Sequence, residues 1–306
     1  MGDPKERSER IKAKALELGF LACGIAQADF LQEDASRLEQ WLRAGKHGRM
    51  GYMANHFGLR TDPRELVPGA KSVISLAYNY FTPNKQTDPE APKLSTYAYG
   101  RDYHKVVKQR MKPLIQFITE TYGQVEMRCF TDSAPVLEKA WAERAGIGWR
   151  GKHSLIIRKG QGSYFFLAEI ILGLELAPDA PATDHCGTCR RCIDACPTEA
   201  IELYGINASK CISYYTIELR EAIPADAGDF RNWAFGCDIC QQVCPWNRFS
   251  TPHNEPDFAP KPELMELTAA EWNELTEERF DKLFFASPVK RTKYDGLMRN
   301  LRFLRE

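Results

Sequence analysis

The sequence CGTCRRCIDACP, residues 186–197, carries four closely spaced cysteines and ends in a proline. Its spacing, C-x2-C-x2-C-x3-C-P, is that of bacterial ferredoxins, in which three thiolates bind one [4Fe-4S] cluster and the fourth binds the other. A second run, CDICQQVCP at residues 237–245, has the spacing C-x2-C-x3-C-P, and Cys211 stands alone between the two runs. The segment therefore predicts a bacterial-ferredoxin-like domain with two clusters.

Eight cysteines lie between residues 186 and 244, enough for two clusters with four ligands each. The first cluster takes three cysteines of the first run and the last of the second: Cys186, Cys189, Cys192 and Cys244. The second cluster takes the other four, with Cys211 included by count: Cys196, Cys211, Cys237 and Cys240. The alternative is a zinc ribbon, because C-x2-C pairs also bind zinc. Cys23 and Cys129 lie in apolar segments and are expected to be buried.

Composition narrows the class of protein further. The 306 residues are 43% hydrophobic and 11% aromatic, which excludes a disordered chain. The mean hydropathy of -0.44 and the lack of a long apolar run predict no membrane-spanning helix. Residues 1–14 are polar and no twin-arginine signal is present, so a cytoplasmic location is expected. Thiols stay reduced there, which favours metal ligands over disulfides.

The chain divides into three predicted domains: an α/β (α+β) domain at residues 1–177, the ferredoxin-like domain at 178–250 and a short helical C-terminal region at 251–306. Proline-rich linkers at 176–184 and 251–262 separate them. In the first domain, helices are predicted at 7–18, at 104–122 with a kink or break at Pro113, and at 131–145 with Pro135 in the first turn. Strands are predicted at 72–80, 124–130, 154–159 and 164–172, the last two joined as a hairpin.

Several longer strings resemble the epoxyqueuosine reductases. They are GYMANHFGLRTDPRELVPGAKSVI (51–74), YAYGRDYHK (97–105), DSAPVLEKAWAERAGIGWRGKHSLI (132–156) and GSYFFLAEI (162–170), followed by both cysteine runs in the same order. The resemblance covers roughly residues 5–250 and extends weakly to 287–300. It implies a cobalamin-dependent iron–sulfur oxidoreductase that reduces epoxyqueuosine to queuosine at the wobble position of tRNA.

The resemblance also implies how the reaction is divided among the residues. An external one-electron donor, such as a ferredoxin or flavodoxin, supplies electrons through the two clusters to a base-off cobalamin in the first domain. Asp132 protonates the departing epoxide oxygen, which requires that its carboxyl keep a proton in an enclosed apolar site. The residues implied to contact cobalamin are Arg60, Asp132, His153, Leu167, Ser213 and Asp238. From sequence alone, an aspartate before a helix is also typical of a helix cap.

Two other functional classes remain open at this point. One is another corrinoid and iron–sulfur reductase acting on a small molecule, although such enzymes related to the reductive dehalogenases are usually exported. The other is a non-catalytic ferredoxin-type electron carrier or a zinc-bearing nucleic-acid module. A ferredoxin needs far fewer residues than the 177 that precede the cysteines, so those residues are expected to hold an electron acceptor.

The net charge of zero conceals basic segments. Residues 1–178 hold 26 basic and 20 acidic side chains, and residues 282–306 hold seven against two. We expect these surfaces to bind the phosphates of a tRNA anticodon loop. The alternative is that the C-terminal basic residues only pair with the acidic segment 255–281, which holds two basic and nine acidic residues. No membrane partner is expected, and the protein is predicted to be a monomer.

Overall fold

The computed structural model describes residues 2–305, which contain ten strands and twelve α-helices. The strands are β1 (Ala22–Gln27), β2 (Ser72–Asn79), β3 (Lys93–Leu94), β4 (Met127–Phe130), β5 (Trp149–Arg150), β6 (Ile156–Ile157), β7 (Phe165–Leu172), β8 (Ile201–Glu202), β9 (Gly205–Ile206) and β10 (Trp233–Phe235). The helices are α1 (Pro4–Glu17), α2 (Gln32–Arg43), α3 (Phe57–Thr61), α4 (Pro63–Leu66), α5 (Tyr103–Tyr122), α6 (Glu138–Arg144), α7 (Arg191–Asp194), α8 (Ile239–Gln242), α9 (Pro262–Glu266), α10 (Ala269–Asn273), α11 (Glu277–Leu283) and α12 (Lys293–Phe303). Within these residues, no helix combines the length and apolar character that a membrane span needs.

A four-stranded sheet in the order β1-β2-β7-β4 forms the centre of the first domain, and all its neighbouring strands are antiparallel. Successive residues of a strand face opposite sides, so Ile170 packs with Val107 of α5 while Ile171 packs with Trp141 of α6. Helices therefore cover both faces, which explains why β2 and β7 are buried along almost their whole length. The predicted fold class is confirmed, in its α+β form because the sheet is antiparallel.

The predicted helix at 104–122 is observed as α5, and Pro113 does not break it. Buried side chains on both sides of the proline, Met111 and Leu114 among them, pack against the sheet. Burying several such side chains contributes about 1.5–3 kcal/mol each, which outweighs the roughly 3 kcal/mol cost of a proline in a helix interior. Of the predicted kink or break, the break was wrong because it weighed only the local penalty, and the kink stays a prediction.

The predicted helix start at 131–135 was wrong. Residues 131–137 form an irregular turn in which Asp132 has a φ of +46°, and α6 begins only at Glu138. The Glu138 side chain accepts the Asp132 backbone N–H at 2.5 Å, so this donor is bound outside any helix. A contact between two residues six positions apart thus replaces the proline-led first turn that local propensity favours.

The predicted hairpin between 154–159 and 164–172 is reduced to one bridge between Arg158 and Gly162. The short strand β6 pairs with β5, whereas β7 pairs with β2 and β4. Strand β1 of the central sheet was not predicted at all. Its sequence, ACGIAQ, is rich in small residues and lacks the β-branched and aromatic character typical of strands.

The cysteine-rich segment has little regular structure beyond α7, α8 and the β8–β9 pair. The C-terminal helices α9–α12 pack around a core that includes Trp272 and Leu301. This core also takes Leu94 and Tyr99 from the first predicted domain, and β3 pairs in parallel with β10. The three predicted domains are therefore interwoven, and their boundaries stay a prediction.

Asn300 of α12 connects the C-terminal helices to the cysteine-rich segment. Its side chain is 1% exposed and its Nδ2 donates to the carbonyl oxygens of Thr216 at 2.9 Å and Ala234 at 2.8 Å. We expect Asn300→Ala to lower the free energy of unfolding by about 2–4 kcal/mol, because two buried carbonyls lose their donor. Chemical denaturation followed by tryptophan fluorescence measures this change. Arg302→Ala, at an exposed position of the same helix, is the matched control, and an equal effect of both variants would contradict this role of Asn300.

Candidate active site

Four of the predicted cluster ligands line one recess. Its wall carries the predicted first-cluster set of Cys186, Cys189, Cys192 and Cys244. Lys152 holds the loop that carries the first cysteines, because its Nζ donates to the carbonyl oxygens of Gly187 at 2.6 Å and Cys189 at 2.9 Å. Trp149 Nε1 lies 3.4 Å from Cys186 Sγ, which suits a sulfur that carries negative charge. The recess thus offers four soft donors of the kind that iron–sulfur clusters use.

The other four cysteines form a second group. Burial raises the pKa of Cys237 to about 12, and negative charge at Cys211 and Cys196 adds to the shift. Burial and the charges of Cys237 and Cys211 also raise the pKa of Cys240, which further responds to Cys192 of the first group. Cys211 and Cys237 also pack against one apolar cluster, and bound metal would compensate the negative charge of the deprotonated thiols. The two groups fit two neighbouring clusters.

Asp132 lies in the turn between β4 and α6, where Tyr103 and His104 approach its carboxylate. The Tyr103 hydroxyl donates to Asp132 Oδ2, and His104 Nε2 lies 3.7 Å from the same oxygen. The Asp132 side chain is nevertheless 62% exposed. The expectation of an enclosed apolar site around Asp132 is therefore not met by this chain alone.

His104 is oriented by the aspartate that caps α5. Asp102 Oδ1 accepts the His104 backbone N–H at 3.0 Å and lies 2.7 Å from His104 Nδ1, which leaves Nε2 facing Asp132. Burial alone would lower the pKa of His104, but the Asp102 hydrogen bond and the charge of Asp132 raise it overall. Sequence reasoning took Asp102–His104 only as a helix start; the consecutive polar string DYH was the available signal.

Tyr103 is held by stacking on Phe166, with ring centroids 4.2 Å apart and planes 4° from parallel. Burial and the neighbouring Asp132 raise the pKa of Tyr103 far above its usual value. The phenol therefore remains a hydrogen-bond donor at any ordinary pH. Asp132 thus has one fixed neutral donor and one ionisable neighbour.

Arg60 and His153 carry polar atoms suited to a bound group. Arg60 is 8% exposed, and its guanidinium donates to the carbonyl oxygens of Asn55 at 3.1 Å and Tyr52 at 2.8 Å, with no acidic partner among residues 2–305. His153 is 3% exposed, and burial lowers its pKa to about 4. Its Nδ1 accepts the Leu155 N–H at 3.2 Å, so its proton sits on Nε2, which has no partner in the described part of the chain. An acceptor on a bound cofactor satisfies this buried donor.

The other predicted contact residues lie at two places. Leu167 accepts a hydrogen bond on its carbonyl oxygen from Thr131 Oγ1 at 2.9 Å, directly before Asp132. Ser213 lies two residues after Cys211 in the chain. Asp238 is buried beside Cys237 and accepts the Thr96 N–H at 2.7 Å. Leu167 thus adjoins the Asp132 turn, whereas Ser213 and Asp238 adjoin the second cysteine group.

Comparison with known proteins agrees with this arrangement. The family model "Epoxyqueuosine reductase QueG, DUF1730" matches residues 60–133, and the model for a 4Fe-4S double cluster binding domain matches residues 185–247. The chain is 55% identical to an epoxyqueuosine reductase of Cellulophaga algicola over 100% of both chains. It is 42% identical to that of Escherichia coli over 98% of this chain and 80% of the relative. The chain belongs to the epoxyqueuosine reductase family.

Solved structures of epoxyqueuosine reductases share the fold. A selenomethionine-labeled epoxyqueuosine reductase aligns with a TM-score of 0.85 and 27% identity over 98% of this chain and 81% of that one. A complex with an epoxyqueuosine-modified tRNA-Tyr stem loop also gives 0.85 and 27%, over 98% and 80%. An epoxyqueuosine reductase from Bacillus subtilis with its aspartate catalytic loop swung out of the active site aligns at 0.84 and 26%, over 98% and 81%.

Membership in the epoxyqueuosine reductases resolves the alternatives that the sequence left open. The double-cluster model decides for [4Fe-4S] clusters and against a zinc ribbon. The predicted enzyme class, an oxidoreductase, is confirmed, and so are the two predicted [4Fe-4S] clusters, whereas cobalamin stays a prediction. The assignment of individual ligands and cobalamin contacts stays a prediction.

The ligand assignment has a direct test in the least regular ligand, Cys211. We expect Cys211→Ser to lower the iron content of the anaerobically purified protein from about 8 to about 4 atoms per chain, because one cluster loses a thiolate. Cys129→Ser is the matched control, since Cys129 lies in β4 beside the core of the first domain. Full iron content in the Cys211 variant would remove Cys211 from the ligand set.

Proposed function

We propose that this chain reduces epoxyqueuosine to queuosine at the wobble position of tRNA, with Asp132 as the proton donor. The observation that carries the proposal is the placement of the Asp132 carboxylate between the Tyr103 hydroxyl and His104. The reduction consumes two electrons and two protons. Both C–O bonds of the epoxide break, the oxygen leaves as water and the two carbons form an alkene. An acid beside the departing oxygen is therefore required, together with a source for the second proton.

The cofactors supply the electrons, and the residues of this chain hold them. The eight cysteines of the two groups hold the clusters, and an external one-electron donor such as a ferredoxin or flavodoxin reduces them. Cobalamin, when bound, delivers the two electrons to the epoxide-bearing ring. The proposed contacts to it are Arg60, Asp132, His153, Leu167, Ser213 and Asp238, supported by the buried Arg60 charge without an acidic partner among residues 2–305 and by His153 Nε2 without an acceptor there.

The exposure of Asp132 suits a macromolecular substrate. A nucleotide in an anticodon loop must reach the acid from outside, and the bound nucleotide then excludes water from it. In the Bacillus subtilis relative the aspartate catalytic loop is swung out of the active site, which supports a mobile acid in the Asp132 turn. Tyr103 holds the carboxyl when the turn is closed, and His104, whose pKa Asp102 raises, is the nearest group that can pass it the second proton.

The acid role predicts a specific defect. We expect Asp132→Asn to retain both clusters and the cobalamin absorption spectrum but to lose about 100-fold or more of kcat on epoxyqueuosine-containing tRNA, because an amide cannot deliver the proton. Ser133→Ala, the exposed neighbour, is the control and should keep wild-type turnover. Normal turnover by the Asp132 variant would remove Asp132 from the acid role. Turnover of the free nucleoside as fast as the tRNA would instead favour a small-molecule reductase.

A basic recess in the C-terminal region supports tRNA as the partner. Its charged lining residues are Arg220, Arg291, Lys293 and Arg299, with Asp295 as the acidic one. The charges of Arg291 and Asp132 influence each other, which supports a recess near the proposed reaction centre. The sequence also allowed the C-terminal basic residues to pair only with the acidic segment 255–281. Lys290 does so, because it forms an ion pair with Asp281. Arg220 and Lys293 have no acidic partner within 4 Å among residues 2–305, so they remain available to a phosphate.

These two cations give a measurable prediction. We expect Arg220→Gln and Lys293→Gln each to weaken binding of an anticodon stem–loop and to reduce the slope of log affinity against log salt by about 1, because each removes one phosphate contact. Fluorescence anisotropy at several salt concentrations measures both quantities. Lys112→Gln, an exposed lysine of α5, is the control. An unchanged slope in both variants would contradict the recess as a phosphate site.

A tRNA substrate also favours a cytoplasmic location, and we retain the predicted monomer as part of the proposal.

A further inference from the structure

Two carboxyl side chains beneath the Asp132 turn have no part in the function proposed above. Glu138 is the first residue of α6, and Glu169 lies in the middle of β7, where it pairs with Phe130 of β4 and Ser75 of β2. The Glu138 and Glu169 carboxyl groups are within hydrogen-bonding reach of each other. Two carboxyl groups this close share a proton instead of both ionising.

Of the two carboxyl groups, that of Glu169 is the one for which ionisation is unfavourable. Its side chain is 0% exposed and lies on the sheet face that carries Phe165 and Ile171. The Ser75 hydroxyl donates to its Oε1 at 3.3 Å, while its Oε2 has no partner among residues 2–305 apart from the neighbouring Glu138 carboxyl. A carboxylate with a single long hydrogen bond in apolar surroundings is costly, so Glu169 keeps its proton and Glu138 is the nearest acceptor for it.

Glu138 connects this pair to the turn. Its side chain is half-buried, and its Oε1 accepts the Asp132 backbone N–H at 2.5 Å. Asp132 has a φ of +46°, in the left-handed region that non-glycine residues seldom adopt. The contact thus holds an unfavourable backbone conformation, and that conformation directs the Asp132 carboxylate to Tyr103.

We propose that Glu138 is a positioning residue for Asp132 and that a proton shared with Glu169 keeps Glu138 in place. This inference rests on the proposed function, because it assigns the pair a role in holding the catalytic acid. When the shared proton is lost, two adjacent carboxylates repel each other, Glu138 turns towards solvent and the Asp132 turn is released.

Among residues 2–305, no neighbouring group supplies a positive charge that could stabilise both carboxylates once the shared proton is lost. Asp132 is negatively charged or neutral, and Tyr103 is neutral. Lys139 of α6 is a cation, but its side chain is exposed to solvent, which screens its charge. Burial, followed by the charge of Asp132, raises the pKa of Glu138 to about 8, and burial raises that of Glu169 well above its usual value. The two groups titrate as one unit.

Stability against pH tests the shared proton without any turnover. A carboxyl whose pKa is raised by folding stabilises the protein at low pH, and this contribution is lost as the pH rises through the folded value. Glu169→Gln donates an N–H to Glu138 at every pH. We therefore expect the difference in Tm between the Glu169→Gln and wild-type holoproteins to grow steadily between about pH 5 and about pH 8. Glu126→Gln, at an exposed glutamate, should give a constant difference, and a constant difference for Glu169→Gln would overturn the proposal.

Kinetics test the positioning of Asp132. We expect Glu138→Ala to lower kcat on epoxyqueuosine-containing tRNA by about 10–100-fold with KM unchanged, because a displaced acid impairs the reaction and not the binding. Glu138→Gln, whose amide oxygen still accepts the Asp132 N–H, should restore most of the activity. Glu169→Gln should shift the loss of activity at alkaline pH to higher pH. A kcat of Glu138→Ala within about twofold of wild type would overturn the positioning role.

An infrared measurement separates this proposal from the proposed function. A protonated Glu169 gives the carbonyl band of a buried carboxylic acid at neutral pH, and that band should be absent from Glu169→Gln. If wild-type protein shows the band but fails to reduce epoxyqueuosine in tRNA, the proposed function fails and the proton-sharing pair stands. If it reduces epoxyqueuosine and lacks the band, the pair fails and the function stands.

Discussion

The return of Cys244 to the loop that carries Cys186, Cys189 and Cys192 is the constraint on which the arrangement of the chain depends. The two cysteine runs are separated by 39 residues, yet their short helices α7 and α8 pack together. The connection is stabilised from outside the cysteine-rich segment. Asn300 of α12 binds the carbonyl oxygens of Thr216 and Ala234 between the runs, and β3 pairs with β10 directly before the second run. The C-terminal helices are therefore part of the cluster-binding fold.

The buried carboxyl groups differ in the number of hydrogen-bond donors that they meet. A carboxylate with enough donors serves to hold the structure together, whereas one without them is a candidate for proton exchange. Glu255 meets Arg110 at 2.7 and 2.9 Å and the Tyr78 hydroxyl at 2.6 Å, and despite burial these donors hold its pKa below the usual value. Asp238 has the Thr96 amide and the Ser95 hydroxyl. Glu169 has only Ser75 as a donor besides the Glu138 carboxyl, which supports the proposed shared proton. Of the three, only Glu169 has a carboxyl oxygen without a donor among residues 2–305, and it lies beneath the Asp132 turn.

The double-cluster segment was predictable from sequence, whereas the geometry around Asp132 was not. Spacing within the cysteine runs is local information, since it determines which thiolates one loop can present to a cluster. The Asp132 turn depends on Glu138 capturing a backbone N–H, and local propensity instead favoured a helix led by Pro135. Tyr103 and His104 can be recognised as neighbours of the Asp132 carboxylate only in the folded chain, where α5 lies beside the turn that follows β4. The pairing of β3 with β10, about 140 residues apart, leaves no local pattern that sequence reasoning detects.

The charge of the C-terminal region shows why a net value is a poor guide to nucleic-acid binding. A cation that is already paired, such as Lys290 with Asp281, offers little to a phosphate. Arg299 is also committed, because its guanidinium donates to the carbonyl oxygens of Leu219, Glu221 and Tyr215. Its charge still contributes to the recess, where Arg220 and Lys293 have no acidic partner among residues 2–305. Phosphate affinity therefore depends on which cations the fold leaves without an acidic partner, and a chain of zero net charge can still concentrate such cations in one recess.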